Sequence, residues 1–416
     1  MKIYYEGDLN QRETPLLQNK TEQYTFVVAG SALPQNPVRT SETTYLINDI
    51  SVTNRQSYKD RNMIGLATAS VIKDAAGNIV SRSEMKYDES GYSPGDYVRG
   101  NPTTSRVWDS TKGNYDNPNA YLATHAKFDT YGNQYESIDA KGNATTTVYD
   151  ATYHAFPVQV TTAVPDPSGV NGSNTAFTTT ATFNYTTGLP LTTTDANGLE
   201  SRIEYDPATL RPLNTKTFYN NNQVGSQSET IYNDEPNDYW VKNRTQIDAQ
   251  NWAESITYFD GLGRAYKSES VNLQGNIFIE KEFDAQGRVR RVTNPFRLNE
   301  TKQWTTNVYD EASRVREIIL PDGAKVKTEY GVSVAGSQIG TIAIITDQAN
   351  KKRRSVTNAL GQLTRVDEPD ANGNLGLIDA PTQPTFYHYD GIGKMVRVHQ
   401  GIQNRYFLYD SLGRLL

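Results

Sequence analysis

The chain has 416 residues, enough for several ordinary domains or one large repeat body. Its hydrophobic share of 36% is low, yet 27 Tyr and 12 Phe argue against disorder and lean towards half-wet β-structure. With 41 basic against 47 acidic residues and no Cys, a broad nucleic-acid-binding field, a disulfide framework, a thiolate metal site and a Cys nucleophile are all excluded.

The chain opens on MKIYYEGDLN, a Lys with no apolar stretch behind it, so no signal peptide is expected here. No run approaches the roughly 18 apolar residues of a membrane span. YTFVVAGSALP (Tyr24–Pro34) and TTYLINDISV (Thr43–Val52) alternate as strands, with Pro34 and Pro37 marking a loop between them. Residues 1–42 are expected to form a loosely ordered segment with some β-strand, and 43–416 a repeat sheet. The stretch from Met63 to Ser90 reads as a hairpin bent at DAAGN (Asp74–Asn78).

From there one phrase recurs, an aromatic residue, an Asp and then a Gly. It appears as YDESGYSPG (Tyr87), FDTYGNQYES (Phe128), YDATYHAFPVQV (Tyr149), YDPATLRPLNT (Tyr205) and YFDGLGRAYKSES (Tyr258). It continues as FDAQGRVRRVTNP (Phe283), YDEASRVREIILPDG (Tyr309), YDGIGKMVRVHQG (Tyr389) and YDSLGRLL (Tyr409). TNALGQLTRV (Thr357) is a copy without the Tyr-Asp pair. Neighbouring copies such as Phe283 and Tyr309, or Tyr389 and Tyr409, stand 20 to 26 residues apart, the mark of a repeat architecture.

One unit can be read physically. Phe278, Glu280 and Glu282 fall on one face of a strand, and Ile279, Lys281 and Phe283 on the other. Asp284 opens a turn because its carboxylate can accept backbone N–H groups, and Gly287 supplies positive φ. Residues 288–293 return as the partner strand. A second class of turn, DAKGN (Asp139–Asn143), DANG (Asp195–Gly198), PDG (Pro321–Gly323) and DANGN (Asp370–Asn374), alternates with the first. The chain should therefore zigzag as a long antiparallel sheet. Tyr rings and Arg guanidinium groups of successive units should meet across it.

Chemistry is sparse. His125, His154, His388 and His399 show no paired ligand spacing, so no metal site is expected. DANGN lacks the Glu that closes a calcium loop. Acid pairs such as Glu368 with Asp370, or Asp234 with Glu235, are accounted for by turns. KKRR (Lys351–Arg354) reads as a solvated turn or strand. No nucleophile elbow, phosphate loop or dinucleotide fingerprint is present, and no cofactor is expected.

The Tyr-Asp-x-x-Gly-Arg phrase resembles the YD-repeat, or Rhs-repeat, proteins. These include bacterial Rhs polymorphic toxins, the B and C components of insecticidal toxin complexes, and animal teneurins. The resemblance runs from about Met63 to the end and includes YDATYHAFPVQVTTAVPD (Tyr149–Asp166) and FNYTTGLPLTTTDANGLES (Phe183–Ser201). It implies an all-β sheet of repeated hairpins coiling as a spiral, part of a hollow shell. Bacterial members carry a downstream plug and a self-cleaving element with an Asp-Pro-x-Gly motif, neither of which is expected in this chain.

The resemblance implies a non-enzymatic shell segment that encapsulates or delivers a C-terminal toxin domain absent from this chain. The chain reads as a fragment that stops in mid-repeat, secreted or at the cell surface in bacteria. Its expected partners are the rest of the same polypeptide and secretion-system or toxin-complex components, with no nucleic acid and no membrane span. The alternative is an extracellular scaffold that recognises carbohydrate or protein. Its surface-binding residues would be Tyr239, Trp240, Trp252 and Trp304. An enzyme is the third reading, and no motif stands behind it.

Overall fold

The computed structural model describes residues 2–6, 17–24, 36–95, 98–333, 340–409 and 414–416. Strand makes up 52% and helix 3%, in one long antiparallel sheet of 31 strands. The chain divides into two compact units. The first joins Met1–Thr146 with Thr328–Leu416, and the second is Thr147–Lys327.

Turns of both classes expected from the sequence share one structure, although the phrase turns at Asp150 and Asp206 are longer and Leu320 stands in the Asp position of the PDG turn. At Asp284 the backbone N–H bonds the Arg288 carbonyl at 2.9 Å and the Gly287 N–H returns to the Asp284 carbonyl at 2.9 Å. The carboxylate then accepts the N–H groups of Gln286 (3.0 Å) and Arg288 (2.9 Å) on one oxygen. Asp139, from the other class, does the same with Lys141 (2.8 Å) and Asn143 (2.9 Å). Asn358 fills the role with its amide oxygen, bonded to Leu360 and Gln362 at 3.0 Å each. The third residue after the Asp has positive φ: 81° at Gly287, 74° at Gly263, and 62° at Ser313.

The strand that follows differs between most phrase turns and most of the second class, although the DAAGN turn at Asp74, of the second class, also carries a slip in register, with Lys73 facing Ile79. Glu282 faces Arg291 but Phe283 faces Val289, so Arg290 is an extra residue on the return strand. The same slip occurs at Phe128, Tyr205, Phe259, Tyr309 and Tyr389. It is absent at the Asp139 and Asp195 turns. A bulge raises local twist and bends its strand, so the phrase end and the plain end of these hairpins are not equivalent.

In the first unit, Lys2–Glu6 pairs with Leu17–Gln23, which pairs with Arg39–Tyr45, then Ala67–Asp74. The sheet thus includes strands N-terminal to Thr43, and position 43 falls inside one. The strand expected over 43–52 stops at Tyr45 and gives way to a 3-10 turn at Leu46–Asn48. Asn48 and Asp49 are turn formers, and the Asp49 carboxylate accepts the Ser51 N–H (3.0 Å) and the Thr68 hydroxyl (2.7 Å). A short helix, α1 (Arg55–Asp60), then lays Tyr58 on the sheet with 1% exposure. Most of the strand expected for Tyr24–Pro34, and the turn expected at Asp410 and Gly413, lie outside the described residues.

The two stretches of the first unit touch. A Cβ at Gly391 would stand 3.0 Å from the Trp108 carbonyl and 2.9 Å from the Ser110 N–H, so only glycine permits this approach. Buried apolar residues are few among those described: Leu46, Tyr58, Trp108, Ala120 and Val356 in the first unit, Phe278 and Phe296 in the second. The chain exposes 25439 Å². A compact 46.5 kDa monomer would expose about 16,000 Å², and two separate compact bodies of that total mass about 19,000 Å². Along the described strands, residues on both faces are mostly half-buried, with few fully buried.

Because Ser313 carries the positive φ that Gly takes in sister turns, Ser313→Gly should raise stability by about 1 kcal/mol. Gly263→Ala, with open space around it but φ of 74°, should lower it by a similar amount. Chemical denaturation of the two variants decides this, and equal effects of one sign would contradict the shared turn geometry.

Candidate functional site

In the second unit the repeat phrase builds a ladder. Arg288 Nε bonds its own turn's Asp284 at 2.7 Å, while its guanidinium lies 4.4 Å from the Tyr309 ring of the next phrase. Tyr309 donates its hydroxyl to the Val289 carbonyl at 2.7 Å. Arg264 repeats the pattern with Asp260 (2.8 Å) and Phe283 (4.4 Å). Arg211 lies over Tyr232 at 4.1 Å, and Tyr232 donates to the Pro212 carbonyl at 3.0 Å. The Arg264 side chain, then its backbone N–H, hold Asp260 below the usual carboxylate value. These residues, which could each pass for a site, are joints between hairpins.

The four aromatic residues expected to bind at the surface are not gathered. Tyr239 and Trp240 are successive on the strand Asp238–Gln246 and so point to opposite faces. Trp240 faces Tyr258 and Trp252 faces Gln246, which puts the two indoles about 20 Å apart along that hairpin. Arg244 covers the Trp252 ring at 4.5 Å, and Arg291 covers Trp304 at 4.2 Å. Arg244 also bonds Glu229 (2.7 Å), and Arg291 bonds Glu282 (2.6 Å). Each of these two indoles has one face closed by a guanidinium already engaged with a carboxylate.

Members of the acid pairs and of the basic run are likewise engaged in ion pairs and turns. Asp234 is bound by Arg211 and Glu368 by Arg353, the latter at 2.7 Å. Asp370 bonds the N–H groups of Asn372 (2.9 Å) and Asn374 (2.8 Å), a turn within the link between two strands. KKRR is only partly solvated, contrary to expectation. Arg354 is buried, with Asp367 and Arg365 beside it at 0% and 1% exposure. Arg354 Nε bonds Asp367 at 2.5 Å, and its other nitrogens hold the carbonyls of Gly376 (3.2 Å) and Leu377 (3.1 Å). Strand alternation puts Arg354, Arg365 and Asp367 on one inward face, a pattern that a run of four basic letters conceals. His125 stacks on Tyr92 at 4.9 Å, and His399 on Phe386 at 5.9 Å. One Asp-Pro-x-Gly sequence does occur, at 166–169, against expectation. It is a loop turn in which Asp166 accepts the Ser168 N–H (3.0 Å) and the Asn171 N–H (2.6 Å).

The first unit holds what sequence reasoning missed, a cavity of about 600 Å³ beneath α1. Its floor is a cross-strand row, Thr44, Ala69, Glu84 and Arg106. Its roof runs from Leu46 to Tyr58. Glu84 is bound by Arg82 (2.8 Å) and Arg106 (2.6 Å). Burial opposes its ionisation, but these two partners hold it below the usual glutamate value. Glu89 accepts the hydroxyls of Thr103 (3.0 Å) and Thr104. Tyr58 donates to Asp88 at 3.0 Å; burial first, then the Asp88 charge, pushes its phenol up. Asp88 in turn gathers the N–H groups of Arg99 (2.9 Å), Gly100 (2.7 Å) and Asn101 (3.0 Å).

No family model and no curated protein matches the chain. Among solved structures it is similar to the crystal structure of TcdB2-TccC3, with 13% identity and a TM-score of 0.59 over 97% of this chain. It is also similar to TcdB2-TccC3 without its hypervariable C-terminal region, at 12% identity and a TM-score of 0.56 over 97% of this chain. The chain spans 28% and 30% of those two chains, respectively. At such identities the likeness is one of fold.

Two measurements probe these contacts. A double-mutant cycle on Arg288→Ala and Tyr309→Leu should give a coupling of about 0.5–1 kcal/mol, and additive effects would remove the ladder as a joint. Asp390 sits against the Trp108–Ser110 contact, and burial, then the nearby Asp109 charge, raises its pKa above 3.8. A folded-state pKa above the unfolded one means stability is fullest at low pH and falls as pH climbs through the raised value. Asp390→Asn, which keeps the acceptor as Asn358 does, should melt higher than the parent at about pH 7 and match it at about pH 3. A lower melting temperature at neutral pH would contradict this.

Proposed function

We propose that this chain is a non-enzymatic wall segment of a hollow β-shell of the YD-repeat, or Rhs-repeat, kind. The observation that carries the reading is a continuous antiparallel hairpin sheet whose faces are both half-exposed, with few buried apolar side chains among the described residues. A wall between an internal and an external aqueous space needs that property, and a compact enzyme domain does not. The fold likeness to TcdB2-TccC3 over 97% of this chain supports the same reading. So does the absorption of the acidic and basic side chains of the phrases into turns and ladders.

On this reading the neighbours of the segment are further hairpins of the same polypeptide, and the enclosed cargo is a toxin domain. The shell works outside the producing cell, alone or with toxin-complex or secretion-system components, and takes no cofactor. Protease digestion of the natural protein that carries this segment tests enclosure. The cargo domain should survive protease that destroys the same domain made alone, and should become sensitive once the shell is denatured. Equal digestion of free and attached cargo would overturn the proposal.

A further inference from the structure

We propose that the cavity beneath α1 is a binding site for a neutral saccharide of one or two sugar rings. The site includes none of Tyr239, Trp240, Trp252 and Trp304, and does not depend on the shell reading.

Its shape follows from the floor. Thr44, Ala69, Glu84 and Arg106 are successive cross-strand partners, so their side chains share one face. Ala69 ends at Cβ, which leaves a hollow between its longer neighbours. The segment from Leu46 to Tyr58 closes it from above, and Asp88 fixes that roof by holding the Tyr58 hydroxyl. The volume of about 600 Å³ lies in the range of small-molecule sites.

The lining selects the ligand class. Arg82, Lys86 and Arg106 are matched by Asp49, Glu84 and Glu89, so the charges balance. Glu84 is held between two arginines, and Lys86 lies 3.5 Å from Glu89. An anion would have to displace a carboxylate from these cations, and a metal ion would have to displace the cations from their carboxylates. An apolar molecule would strip water from six charged groups and return no hydrogen bond. A neutral polyol can donate hydroxyls to Glu84, Glu89 and Asp49 and accept from the basic groups. Its C–H faces can lie against Leu46 and Val52, which also line the cavity. Asp49 and Glu89 remain acceptors at neutral pH: burial opposes ionisation in each, but hydroxyl hydrogen bonds hold both below their usual values.

Saturation-transfer NMR on the full chain tests this with glucose, maltose, cellobiose and N,N′-diacetylchitobiose as probes. At least one should bind with a Kd on the order of 1 mM. Ala69→Leu, which fills the floor, should abolish the signal. Ser51→Trp, at an exposed lining position, should weaken it at least about tenfold while leaving the melting temperature unchanged. No transfer from any probe at about 50 mM, or a signal that survives Ser51→Trp, would overturn the proposal. Preferential binding of a sulfated heparin disaccharide would overturn it as well.

Discussion

Most of the regular turns in this molecule depend on one hydrogen-bonding arrangement, a side-chain oxygen, usually a carboxylate's, that accepts two N–H groups of its own turn. The polar groups of a turn are otherwise left to water, and turn length is then free to vary. With Asp Oδ1 bound to the second and fourth following N–H groups, the turn has a single length and a single position for positive φ. That fixes the register of the strands on either side. Register in turn places the Arg that follows the Gly beside the aromatic ring of the next phrase. The Arg–ring contact and the Tyr hydroxyl bond are consequences of the turn, and each is weak alone. Repetition makes them a structure.

The same economy shows in how the sheet is stabilised with few buried apolar side chains among the described residues. Its faces carry lattices such as Glu229, Arg244 and Glu254, or Lys267 set between the Tyr258 and Phe278 rings at 4.6 and 4.7 Å. Half-exposed pairs of this kind contribute well under the value of a buried apolar side chain. Stability must therefore be spread along the chain. Burial is concentrated where side chains are locked in pairs, as with Arg354 and Asp367. There the removal of one partner would leave an uncompensated charge, at a cost of about 3–5 kcal/mol.

The repeat and its hairpins were legible in the sequence because their causes are local. Asp, Gly and the aromatic residue act within five positions of one another, and strand alternation acts within two. The Arg ladder was legible for the same reason, since the repeat spacing translates directly into cross-strand proximity. Three features were not. The bulge at the phrase end leaves no composition signal, because Arg290 looks like any strand residue. Helix α1 has six residues, too few to show a helical period, and it follows a stretch, Thr43–Val52, that reads as strand but leaves the sheet after Tyr45. The aromatic residues chosen from the sequence were picked for size, whereas their surroundings are set by basic residues on the same hairpin or across the sheet.

The phrase at Tyr87 shows how a structural repeat can acquire a cavity. In the regular turns the Asp serves its own turn. Asp88 instead has φ of 51° and turns its carboxylate to residues 99–101, more than ten positions away, and to the Tyr58 hydroxyl. Tyr87 keeps the repeat's habit, donating its hydroxyl to the Ala67 carbonyl at 2.9 Å. The register of the sheet is thus preserved while the freed carboxylate staples a loop and a helix over one face. A cavity results where the sheet would otherwise be bare. The change needs no new fold, only a different destination for one carboxylate that the repeat already supplies.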